Sequence, residues 1–351
     1  MKRLYFLLVT GLLLASCQKE DPKPNNPGQS DGSKAYVLNE GLWGANDADI
    51  SLLNIEDGTI QNNYFATVNG RGLGNLGQDV IIYGSKMYIT VNSSNTIEIV
   101  DAATCRSIKQ ISIPQAGPRY MACHEGKVYI TCYDKTVRRL DTLSMEIDGS
   151  CNLSGLKPEG IAVSGDNLYV CNSWDNANNG SYEYDNTVSV INISQFSETR
   201  KITVPINPSR IMALADGRLV VNSLGNYADQ PSVLSIIDPS TDQIQTINIP
   251  VSGFDIYNNA AYTYSYDWST FQHSMIKVDL NTLTQTPILQ DKIALFGSIY
   301  GIAINPVNGD IYICDAQNYQ SNGDVYCFSS NGLQRFKQET TVGPNKVVFV
   351  R

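Results

Sequence analysis

Lys86-Met87-Tyr88-Ile89-Thr90-Val91-Asn92, a polar Ser93-Ser94-Asn95, then Thr96-Ile97-Glu98-Ile99-Val100-Asp101 decides the fold. Two runs of β-branched and aromatic residues flank a short polar turn, which is the pattern of an antiparallel hairpin. Its core triplet Met87-Tyr88-Ile89 has counterparts in Tyr36-Val37-Leu38, Val128-Tyr129-Ile130, Leu168-Tyr169-Val170, Leu219-Val220-Val221, Ala261-Tyr262-Thr263 and Ile311-Tyr312-Ile313. From Val37 onward the central residues are 51, 41, 40, 51, 42 and 50 apart. Seven copies at that period, with no helical periodicity in them, predict a solenoid or a propeller.

Each copy divides into four short strands. In the second unit they are expected at residues 78–83, 86–92, 96–101 and 107–113, and in the fourth at 159–163, 167–172, 187–192 and 199–204. The third strand often closes on Asp, at Asp101, Asp141, Asp238 and Asp279, where a turn must follow. Four strands repeated seven times predict an all-β, seven-bladed β-propeller. The first unit supplies only three strands. The C-terminal Val342-Gly343-Pro344-Asn345-Lys346-Val347-Val348 reads like the innermost strands elsewhere, such as Gly117-Pro118-Arg119-Tyr120-Met121. It is expected to complete the first blade and close the ring, which removes an open sheet edge.

Upstream of the repeats the reading changes. Met1-Lys2-Arg3 and the apolar run Leu4 to Leu14 form a signal peptide, too short to span a bilayer, over residues 1–16. Leu14-Ala15-Ser16-Cys17 has the form of a lipobox, so Cys17 is expected to be lipidated. Residues 17–33, with three prolines and no apolar anchor, read as a tether, and the propeller as residues 34–351. The membrane is then reached through the lipid alone. Removing Lys2 and Arg3 takes the net charge from −9 to −11, since 23 basic residues then face 34 acidic ones. That balance argues against nucleic acid as a partner.

The unusual residues gather in the loops between the second and third strands. Residues 40–49, 173–186, 223–232, 265–274 and 316–324 are long and unlike one another, whereas the hairpin turns of the opposite face are short. These loops hold all three tryptophans, Trp43, Trp174 and Trp268, with Tyr182, Tyr184, Tyr227, Tyr266, Phe271 and Tyr319. Aromatics in exposed loops suit a ligand surface, with capping of the barrel ends as the alternative. A second ring is expected at the start of the inner strands: Gln78-Asp79, Arg119-Tyr120, Glu159-Gly160, Ser209-Arg210, Gly253-Phe254, Tyr300-Gly301 and Asn345-Lys346. Arg119 and Arg210 are its candidate donors to phosphate or amide groups. Asn39, Asn92, Asn172 and Asn222, which end second strands, read as structural.

Two histidines in the whole chain leave little for zinc or general-base chemistry. His124 sits at a short turn, and His273 lies in the aromatic loop of the sixth unit, where it could contact a ligand. Glu159 and Asp79 are the two acids of the inner ring, too few to hold the metal of a propeller lactonase. No catalytic residue, cofactor or metal is therefore expected, and the chain reads as a binder rather than an enzyme. Besides Cys17 there are seven cysteines and no CxxC. A Cys314–Cys327 bridge across one hairpin is open, beside buried thiols that pack as small hydrophobes.

The Tyr-Ile strand with its Asp turn resembles the YncE-like and NHL-like propellers along almost the whole folded chain. Tyr36-Val37-Leu38-Asn39-Glu40-Gly41-Leu42-Trp43-Gly44, together with the lipobox and Gln18-Lys19-Glu20-Asp21, is similar to the surface-exposed propeller lipoproteins of Bacteroidetes. That resemblance implies an outer-membrane, cell-surface protein. Some members of that group capture vitamin B12 and pass it to a TonB-dependent transporter. A corrinoid is the ligand so implied. A glycan or a protein partner would use the same aromatic loops.

Overall fold

A computed structural model of the chain describes residues 34–350 except 178, 179, 268, 269 and 271. Cys17 and the tether lie outside the described residues. Seven four-stranded antiparallel sheets form the ring of a seven-bladed β-propeller. The first blade takes its inner strand, Pro344–Phe349, from the C-terminus; it pairs with Lys34–Asn39, followed outward by Asp49–Asn54 and the two-residue Ile60–Gln61. The second blade runs Gly77–Tyr83, Lys86–Val91, Thr96–Asp101 and Ser107–Ser112, within a residue of the limits expected from sequence. The predicted closure is therefore the closure observed.

The repeated triplet is the core. Tyr36, Tyr88, Tyr129, Tyr169 and Tyr312 are all essentially buried, wedged between adjoining blades. The hydroxyls of Tyr36 and Tyr88 find no hydrogen-bond partner among the described residues, so the repeat uses the ring and not the polar tip. On the turn face, each strand-ending Asp accepts from the turn that follows. Thr104 N–H donates to Asp101 (2.9 Å), Ser144 N–H to Asp141 (2.7 Å), Ser240 N–H to Asp238 (2.9 Å) and Thr282 N–H to Asp279 (2.8 Å). Four residues after each Asp the chain turns left-handed, at Cys105, Met145, Asp242 and Leu283. An i to i+4 backbone bond closes three of these turns, from Cys105, Met145 and Leu283, and at Asp238 the bond comes from Thr241 instead.

Two expectations need correcting, and the open choice between a bridge and buried thiols is settled for the thiols. The first unit is not free of helix: Tyr64–Asn69 forms a short one in a sequence with no helical pattern of its own. Tertiary contacts impose it, since Phe65 is buried and its N–H donates to the Asp49 carboxylate (3.1 Å). The fourth blade's central hairpin does not end at 172 and 187. It extends to Asn167–Asn176 paired with Tyr182–Asn192. Finally, Cys314 and Cys327 are unbridged, as are the other five cysteines of the described region. Cys314 faces Val325 across the ladder and Cys327 faces Tyr312, two positions out of opposition, and both thiols pack in the apolar core.

Candidate functional site

The site is assembled by a recurring irregularity at the start of the inner strands. There the pairing register slips between Gly77 and Asp79, Pro118 and Met121, Pro158 and Ile161, Pro208 and Arg210, and Ile299 and Gly301. A similar slip in the closing strand skips Asn345. The residues left out of the ladder are Gln78, Arg119, Tyr120, Glu159, Gly160, Ser209, Tyr300 and Asn345, which are members of the inner ring read from sequence. A bulge bends a strand and re-aims the released side chain. The inner strands also crowd the axis: a Cβ on Gly160 would lie 2.6 Å from the Ser209 carbonyl, and one on Gly301 2.1 Å from that of Asn345. Phe254 departs from the ring and is buried in the core between the fifth and sixth blades.

The two candidate arginines have different surroundings. Arg119 is held from three sides. Its Nε and Nη2 donate to the two oxygens of Glu159 (2.9 and 3.1 Å), and Nη1 donates to Gln78. Its guanidinium also lies over the rings of Tyr133 (4.6 Å) and Tyr120 (5.6 Å). Burial works against the charge, but Glu159 and the two phenols outweigh it and raise the Arg119 pKa. The Tyr133 hydroxyl donates to the same Glu159 carboxylate (2.6 Å). Glu159 thus serves an ion pair that ties three consecutive blades together. Arg210, by contrast, lines a central cavity of about 490 Å³ that runs the length of the inner strands.

The aromatic residues form separate groups on the loop face. Because the fourth hairpin is extended, Trp174 pairs across it with Tyr184, and Tyr182 packs edge-on against Trp174 with ring centres 5.3 Å apart. Lys157 Nζ lies over Trp174 (4.6 Å) and also over Tyr133 (5.1 Å), bridging this group to the Arg119 network, while Asp175 pairs with Lys157 at 3.3 Å. Tyr319 meets Tyr300 edge-on at 5.2 Å, and the Tyr300 hydroxyl donates to Glu40 (2.5 Å). Burial raises the Glu40 pKa against the opposing pull of Tyr300 and Arg119. Tyr266 packs against His273 at 4.8 Å. His273 itself is buried with Nε2 3.1 Å from the Gly297 carbonyl, which gives it a structural place.

Trp43 and Tyr227 project from loops fixed by side-chain turns. Asp47 accepts from Leu42 N–H (2.8 Å) beneath Trp43, and Asn226 accepts from Ala228 N–H (3.0 Å) and Gln230 N–H (2.9 Å) around Tyr227. Trp43 is 82 % exposed, Tyr227 67 % and Tyr182 63 %. Trp268 and Phe271 lie outside the described residues. The sequence reading missed Tyr133, Lys157 and Glu40, which link the groups. Lys157 directly precedes the Pro that opens an inner strand, and that position was its one available signal. The four asparagines are structural as read: Asn39 donates to Ser51 (2.9 Å), Asn92 to the Pro118 carbonyl (3.2 Å), Asn172 to Ser189 (2.8 Å) and Asn222 to the Ser252 carbonyl (3.1 Å).

Residues 33–343, nearly all of the repeats, match the family described as a domain of unknown function, DUF5074. The chain belongs to the DUF5074 family. No curated protein matches it. This DUF5074 propeller is similar in structure to a quinonprotein alcohol dehydrogenase-like protein from Bacteroides thetaiotaomicron. The TM-score is 0.66 at 15 % identity, covering 90 % of this chain and 78 % of that one. It is also similar to hydrazine synthase from Kuenenia stuttgartiensis, with a TM-score of 0.63 at 16 % identity over 76 % of this chain and 92 % of the other. At such identity the likeness is one of fold. The DUF5074 blades share the propeller architecture of those proteins, and their chemistry remains their own.

Proposed function

We propose that this protein is a surface-anchored binding protein without catalytic activity. It catches a large amphipathic ligand, a corrinoid, on its loop face and delivers it to a TonB-dependent outer-membrane transporter. The observation that carries the reading is the set of rings displayed there. Tyr182, packed edge-on against Trp174 beside Lys157, is left exposed on a rigid ladder, with Tyr227 exposed on the next blade's loop and Trp43 on the first blade's. Aromatic side chains supply contact area at small entropic cost, which is why they recur as binding anchors. A corrinoid offers a broad macrocycle rimmed by amide groups, matching rings interspersed with polar side chains. The lipobox at Leu14–Cys17 supports the surface location, and the two-histidine composition supports binding over catalysis.

The test is calorimetric titration of the purified protein with cyanocobalamin, beside the Trp174→Ala/Tyr182→Ala double variant. Saturable heat is expected from the wild type, with affinity about tenfold or more weaker in the variant, the scale of an aromatic hot spot. No heat at micromolar protein would sink the corrinoid assignment. Retention on a glycan array lost in the same double variant would redirect the face to a glycan, since sugars also stack on exposed rings.

A further inference from the structure

The central cavity has charge and donors that the loop-face reading does not use. Three charged residues line it: Asp79, Arg210 and Lys346. Asp79 and Lys346 cancel one another. Lys346 Nζ lies 2.5 Å from Asp79 Oδ1, and the other carboxylate oxygen accepts Met121 N–H (2.9 Å). Glu159 is spoken for by Arg119, and Glu40 by the Tyr300 hydroxyl; neither lines the cavity. Arg210 is different. Its backbone N–H donates to Asn222 (2.8 Å), but among the described residues its guanidinium meets no carboxylate and donates no hydrogen bond. Five N–H donors in a planar fork therefore face the cavity unused.

The groups around Arg210 are complementary to an oxyanion. The phenols of Tyr120 and Tyr264 line the same cavity, and the Arg210 charge acts on both. The Tyr264 hydroxyl is committed to the Tyr300 carbonyl (3.0 Å), which sets its ring as a wall. Ser209 adjoins Arg210 at the bulge. We infer that the central cavity is a binding site for a small carboxylate, held by the Arg210 guanidinium. The charge count selects the class. One unmatched positive charge is neutralised by one carboxylate, whereas a phosphate dianion would leave a second charge uncompensated in a confined site. The carboxylate geometry also fits the guanidinium fork two oxygens at a time. A volume of about 490 Å³ lies within the usual range for small-ligand pockets.

This site is independent of the aromatic loops, so one reading can fail while the other stands. The probes are sodium acetate, sodium benzoate and sodium phosphate, titrated into the full folded chain by calorimetry at constant ionic strength. Acetate or benzoate is expected to bind more tightly than phosphate. Arg210→Gln should weaken the carboxylate about tenfold or more, the loss expected of a charged hydrogen bond. Arg210→Lys keeps the charge without the fork and should fall between the two. The Trp174→Ala/Tyr182→Ala variant should bind the carboxylates as the wild type does. No heat from either carboxylate at up to about 10 mM, which corresponds to very weak association, would overturn the inference. So would phosphate binding tighter than both, or equal carboxylate affinity in Arg210→Gln with the far-UV spectrum unchanged.

Discussion

The two faces of the disc are made by the same seven blades and behave oppositely. On the turn face the same solution returns in blade after blade: Asp101, Asp141, Asp238 and Asp279 each accept the N–H groups of their own turn, and a left-handed residue follows four positions on. On the loop face only the second and third blades share a connection, a short turn left-handed at Asn95 and Lys135; the others diverge. One is a β-ladder carrying edge-packed rings, one is braced by Asn226, and another leads into a short helix. What repeats is spent on closing the backbone's hydrogen bonds. What diverges projects rings and charges outward. The difference predicts that substitutions in repeated positions cost stability, whereas those in divergent positions leave it alone.

The largest effect should come from the repeated tyrosine. Tyr88→Ala removes a fully buried ring at a junction between blades and is expected to cost about 3–5 kcal/mol, the range for large-to-small aromatic changes in cores. Tyr88→Phe should be nearly neutral, because the hydroxyl it removes has no partner among the described residues. Urea unfolding of the two variants checks this. A large loss in Tyr88→Phe would mean that the repeat depends on the polar tip after all.

The same division explains how much could be read from sequence. The blades were legible because period-2 strands and Asp turns are local signals repeated seven times, so each copy corroborates the others. The closing strand was legible because Gly343-Pro344-Asn345 copies the opening of other inner strands. The ring of channel residues was legible by position, but its chemistry was not. Arg119 and Arg210 both sit at the opening of an inner strand, in the third and fifth units, and look alike as letters. Only the neighbouring blade, which offers Glu159 to one and no carboxylate to the other, distinguishes them. The Tyr64–Asn69 helix was illegible because its cause, the Asp49 carboxylate and the burial of Phe65, lies in contacts distant along the chain.

Asp49 is where the comparison should break, since it belongs to the loop face yet has a structural task. Its Oδ1 accepts the N–H groups of Ile50 (2.6 Å) and Phe65 (3.1 Å). Burial nevertheless dominates those bonds and lifts its pKa from 3.8 to about 6. A carboxyl that holds its proton more tightly when folded favours the native state below its unfolded pKa, and that advantage disappears as pH rises through the folded value. Stability should therefore decline between about pH 4 and pH 6, by roughly 3 kcal/mol for a shift of this size. Asp49→Asn keeps the acceptor and removes the titration, so its urea midpoint should lose that slope and match or exceed the wild type at pH 7. An unchanged slope would assign the pH dependence to other carboxyls.

Tyr182 supplies the smallest expected effect and the sharpest discrimination between a ligand surface and a barrel cap. A capping ring is buried by its neighbours, so truncating it opens a void and costs several kcal/mol. Tyr182 instead touches Trp174 with one edge and remains 63 % exposed. Its β-ladder partner is Asn176, near the tip of the hairpin, well away from the blade's apolar cluster. Tyr182→Ala should therefore shift the unfolding free energy by less than about 0.5 kcal/mol, as surface substitutions usually do. A cost above about 2 kcal/mol would make the ring part of the fold and remove the strongest reason for reading the loop face as a binding surface. A negligible cost leaves an aromatic side chain held out to solvent by a rigid ladder, with no structural work to explain its position.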